Sequence, residues 1–118
     1  MLAILEIYIM NRVASELLKL AKNLIAGGND FYDFGRGSNA KSIFRELVED
    51  AQHEYGHGGY TGTIAEKSSF KIVGRVDTMD EAYDLADEKI DRNDKWGPAF
   101  AIEVKKPKGY LFFGIASS

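Results

Sequence analysis

Both histidines of the chain fall within one pentapeptide, His53-Glu54-Tyr55-Gly56-His57. The pattern H-E-x-x-H does chemistry only on a helix. There, histidines four residues apart share a face and can bind one Zn²⁺, and the Glu activates the bound water. On a helical wheel His53 and His57 lie about 40° apart, opposite the stripe of Ile43, Leu47 and Ala51, so one side packs while the other faces a cleft. On this reading His53 and His57 are metal ligands and Glu54 is the general base of a minimal zinc-dependent hydrolase. Against it, Gly56, Gly58 and Gly59 weaken the helix where the second histidine must be held, at about 1 kcal/mol per helical glycine. Glu46, Glu49 and Asp50 near the histidines also describe an ordinary solvated acidic face.

The same segment supports a different chemistry. Tyr55, His57, Gly58, Gly59, Tyr60, Thr61 and Thr63 combine aromatic rings, hydroxyls and free backbone amides, a set that can cradle a phosphate or another small ligand. No Gly-Lys-Ser/Thr follows, so the loop is not a Walker loop. The structural alternative is a helix-to-strand turn whose glycines supply positive φ. On the binding reading no cofactor is required; zinc belongs to the hydrolase reading alone.

Short stretches carry two resemblances to known proteins. Glu81-Ala82-Tyr83-Asp84 resembles the E-x-x-D of the downstream helix of gluzincins, which implies Glu81 as a third metal ligand beside His53 and His57. Zincin-like folds place sheet strands ahead of the signature helix, whereas here only a helix and a glycine-rich loop are expected before it. The metzincin extension would need Gly and His where this chain has Tyr60 and Thr63. Tyr55-Gly56 followed by Gly59-Tyr60-Thr61-Gly62-Thr63-Ile64, together with Gly109-Tyr110-Leu111-Phe112-Phe113-Gly114-Ile115-Ala116, resembles small proteins of tailed bacteriophages to which no activity is attached. The opening Asn11-Arg12-Val13-Ala14-Ser15-Glu16-Leu17-Leu18 looks like phage reading-frame starts. The resemblance implies a non-enzymatic accessory or virion protein, located in the host cytoplasm or the virion, that binds a protein partner or a small ligand near residues 55–63.

The elements that position these residues follow from periodicity. Asn11 to Ala26 repeats apolar residues at three- and four-residue steps, which predicts an amphipathic N-terminal helix stopped by Gly27-Gly28. That helix covers the domain's own core, docks on a membrane surface or partner, or makes a self-assembling homo-oligomer. Met1–Met10 is too short to span a bilayer, which takes about 20 residues, and lacks the cationic start of a secretory signal. Met10 is an alternative start. Phe31-Tyr32-Asp33-Phe34-Gly35-Arg36-Gly37-Ser38 reads as an aromatic, glycine-rich connector, either stacking a base or pinning a loop to the core.

Ser38 or Asn39 caps a helix to about Tyr55 with Ile43, Phe44, Leu47, Val48, Ala51 and Tyr55 inward. Thr61–Glu66 and Ser69–Val76 read as extended segments. Thr78 with Glu81 makes a capping box that opens a helix to about Asp91, with Met79, Ala82, Tyr83, Ala86 and Ile90 inward. Phe100–Val104 and Tyr110–Ala116 form a hairpin. The expected fold is α+β: a small antiparallel sheet of about four strands with helices packed on one face, residues 31–118 forming one domain behind an N-terminal helix in residues 1–30.

Composition narrows the classes. The chain has 118 residues with 45% hydrophobic and 28% charged, one ordinary small globular domain. Zero Cys excludes disulfides, thiolate metal sites and a cysteine nucleophile. Fifteen Lys and Arg against 18 Asp and Glu leave a net charge of −3, without the basic footprint of a general nucleic-acid binder.

Overall fold

A computed structural model of the chain describes residues 28–56 and 59–118. The expected N-terminal helix at 11–26 and the apolar segment at 1–10 lie outside the described residues. Among the described residues four strands and two α-helices are in place, as expected for an α+β domain. The strands are β1 (Gly28–Arg36), β2 (Phe70–Thr78), β3 (Ala99–Lys106) and β4 (Gly109–Ser117). The helices are α1 (Ala40–Tyr55) and α2 (Met79–Lys89). The sheet order is β1-β4-β3-β2.

The antiparallel expectation holds for three strands and is corrected for the fourth. β1 pairs antiparallel with β4 from Gly28 opposite Ser117 to Arg36 opposite Gly109, and β4 returns antiparallel on β3 through a tight turn at Pro107-Lys108. β2, however, runs parallel to β3, with a bulge between Ile72 and Gly74. The reason is connectivity: a whole helix, α2, lies between β2 and β3, and a crossover of that length is what a parallel pair requires. The sheet is mixed.

The helices are also corrected from one face to two. Along β4, Tyr110, Phe112 and Ala116 join one buried cluster with Ile43, Phe44 and Ala51 of α1, while Leu111 and Phe113 join another with Ala82 and Ala86 of α2. Side chains alternate across a strand, so α1 and α2 cover opposite faces. This is why β4 carries an unbroken apolar run instead of an alternating one.

Residues 31–36, expected as a connector, are part of strand β1. Phe31 packs beneath α1, and Tyr32 and Phe34 pack with the α2 cluster. An aromatic run needed on both faces has no period-2 signature, and its Gly and Asp neighbours are poor strand formers. Thr61–Glu66 is corrected too: it holds a 3-10 turn at Ile64–Glu66, opened by Thr63 Oγ1 accepting from the Ala65 amide, with Ile64 buried in the α1 cluster.

The helix starts match their signals. Asn39 Oδ1 accepts from the Ser42 amide at 3.1 Å. Thr78 Oγ1 accepts from the Glu81 amide at 3.3 Å, and the Glu81 carboxylate reaches back to the Asp77 amide at 3.0 Å.

Candidate functional site

Tyr60 and Thr61 are held by one carboxylate. Glu66 Oε1 accepts from the Tyr60 amide at 2.9 Å, and Oε2 accepts from the Thr61 amide at 3.1 Å and the Thr61 hydroxyl at 2.6 Å. The Thr61 and Thr63 hydroxyls lie 2.9 Å apart. Burial acts to raise the Glu66 pKa, but the bonds from the Thr61 hydroxyl and from the Thr61 and Tyr60 amides outweigh it and hold the carboxyl below its usual range. Gly62 donates its amide to the Ser117 carbonyl at 2.8 Å, which ties the loop to the end of β4. Gly62 takes φ +71, and a Cβ there would run into Asn29, so only glycine fits.

Within this fixed loop Tyr60 stands at φ +60, a left-handed conformation that costs an L-residue roughly 1–2 kcal/mol. Its ring is not sequestered: Tyr60 is 66% exposed. It meets Trp96, 64% exposed, edge-on, with centroids 6.2 Å apart and planes at 89°. Lys95 Nζ lies 5.4 Å from the centre of the Trp96 ring.

The Trp96 loop is pinned from beneath. Lys67 is only 3% exposed, and its ammonium donates to the Asp94 and Gly97 carbonyls at 2.8 and 2.9 Å and to Asn93 Oδ1 at 3.5 Å. Burial lowers the Lys67 pKa to about 8, with the Asp94 charge opposing the shift. Buried Asn93 continues the network, accepting from the Ile115 amide at 2.7 Å and donating to the Pro98 carbonyl at 3.0 Å. Glu66 and Lys67 are consecutive: one anchors the Tyr60 loop and the other the Trp96 loop.

Of the expected ligand-binding residues, the structure brings together Gly59, Tyr60, Thr61 and Thr63. Tyr55, expected inward, is 56% exposed at the last position of α1. His57 and Gly58 lie outside the described residues. Trp96, Lys67 and Asn93 were not expected; the one available signal was a Trp inside an otherwise polar loop.

Of the expected metal ligands, His53 and Glu81 are described, and the fold does not bring them together. His53 and Glu54 are exposed on the last turn of α1, which ends at Gly56 with φ +93. Glu81 is spent on the start of α2. Arg36, just before α1, and Thr78, just before α2, sit at the hairpin end of the sheet, opposite Gly109 and Lys106. Both helices therefore start there, which places His53 at the far end on one face and Glu81 at the near end on the other. The sheet separates them. Among the described residues no group of three or more His, Asp or Glu side chains is disposed to hold a metal ion. A strand, β1, does precede α1, where a loop was expected.

Comparison with known proteins finds no protein family, no curated protein and no solved structure that matches the chain. Among the described residues no helix is long and apolar enough to cross a membrane.

Proposed function

We propose that the chain is a non-enzymatic binding protein of phage type, an accessory or virion protein of the host cytoplasm or the particle. Its contact with a protein partner or small ligand is made by the Tyr60–Trp96 pair. The observation that carries the reading is the cost of this arrangement. An exposed tyrosine is kept in a left-handed conformation, by a carboxylate with three bonds to its loop, against an exposed tryptophan whose own loop is anchored by a buried lysine. Strain held in place by its surroundings marks functional positions, and Tyr and Trp are the side chains that most often dominate binding energy. The motifs at 55–64 and 109–116 support the phage assignment by resemblance.

Trp96 is the only Trp of the chain, so tryptophan fluorescence, excited selectively over tyrosine, reports on this site alone. Pools of synthetic peptides and of oligosaccharides serve as probes. A saturable change with one pool, lost in Tyr60→Ala at an unchanged melting temperature, supports the proposal. No change with any pool, or an equal change in Tyr60→Ala, overturns it.

A further inference from the structure

A groove of ≈1320 Å³ lies between α1 and β2, on the α1 face of the sheet. It is larger than the roughly 300–1,000 Å³ typical of small-molecule pockets and is open to solvent, a shape suited to a length of polypeptide. Phe44 and Val48 of α1 and Phe70 and Ile72 of β2 supply apolar lining. β2 is a terminal strand of the sheet, so its outer side carries no strand partner among the described residues. Ile72 on that strand is 51% exposed, large for an apolar side chain in a sheet.

Charge gives the groove a sign opposite to that of the whole chain. Lys41 and Arg45, one turn apart on α1, line it, and neither has an ion-pair partner among the described residues. The one lining carboxylate, Glu66, is committed to the Tyr60 and Thr61 amides and the Thr61 hydroxyl. The Lys67 amine is turned to the Asp94 and Gly97 carbonyls. On β2 itself Lys71 is exposed, and the strand is bulged after Ile72. A cationic, bulged edge repels a second copy of itself, which limits pairing between identical strands.

We infer that this groove takes an extended segment of a partner protein that alternates acidic and apolar residues. The segment lies beside Phe70–Ile72 with its apolar side chains against Phe44 and Val48 and its carboxylates toward Lys41 and Arg45. Strand addition to a free edge supplies backbone hydrogen bonds, and the lining supplies selectivity. The inference is independent of the Tyr60–Trp96 pair.

The test uses the full chain, isotopically labelled for NMR, and three fluorescein-labelled synthetic peptides: one alternating glutamate and valine, one alternating lysine and valine, and one alternating glutamate and serine. Anisotropy is expected to show saturable binding of the glutamate–valine peptide only, weakened by added salt and at least about tenfold by Lys41→Glu with Arg45→Glu. Both side chains are exposed, so that variant is expected to melt with the wild type. Amide shifts are expected at Phe70–Ile72, and Tyr60→Ala should bind the peptide normally. Absence of binding, equal binding of the lysine–valine peptide, or shifts confined to other strands overturns the inference. So does sedimentation showing a dimer dissociated by Ile72→Lys, because the occupant would then be a second copy.

Discussion

Tyr60 and Lys67 each carry a local cost. At φ +60 a side chain is disfavoured by the clash of Cβ with the following carbonyl, and glycine escapes it. Tyr60→Gly is therefore expected to be more stable than Tyr60→Ala by about 1 kcal/mol, although both remove the ring. Chemical denaturation checks this, and the reverse order would show that the loop is not strained.

Lys67 carries the second cost. Its pKa falls from 10.5 to about 8 because its ammonium is taken out of water. Between those values the unfolded chain binds more protons than the folded one, so stability rises as pH increases through the window. Wild type should gain on Lys67→Met by up to about 3 kcal/mol between pH 8 and 10.5, and parallel urea-melt curves would contradict it.

At the scale of elements, the helices and the β3–β4 hairpin were legible because caps, 3.6-residue periodicity and hairpin strands are local signals. Asn39, Thr78 and Glu81 sit where their side chains imply. What was not legible depends on burial of both sheet faces. Residues 31–34 place aromatics on both faces and so lose alternation, and the parallel pairing of β2 with β3 is a property of the crossover, not of either strand. The loop at 59–63 was legible as a glycine- and hydroxyl-rich turn, but its partner Trp96 was not. The two meet only because consecutive residues, Glu66 and Lys67, hold separate loops.

The two-faced sheet makes an energetic prediction of its own. Phe112 on β4 is fully buried against Phe44, Phe70 and Tyr110. Phe112→Ala is expected to cost about 3–5 kcal/mol, whereas Ile72→Ala on the exposed edge should cost less than about 1 kcal/mol. Similar losses at both positions would contradict the assignment of β4 to the core and β2 to an accessible edge.

For the whole molecule, the mixed sheet separates the helices, and the aromatic pair and the α1–β2 groove lie around one short segment. Glu66 and Lys67 anchor the aromatic pair and also line the groove between α1 and β2. Of the expected metal set, His53 and Glu54 project from the end of α1, and Glu81 belongs to the other face. The Tyr60–Trp96 pair is the proposed contact surface. Its most direct test is Trp96 fluorescence of the full chain, titrated with the peptide and oligosaccharide pools and repeated with Tyr60→Ala. A saturable change is expected that disappears in the variant while the melting temperature stays the same. A chain whose Trp96 signal responds to no pool, or responds equally without Tyr60, would contradict it.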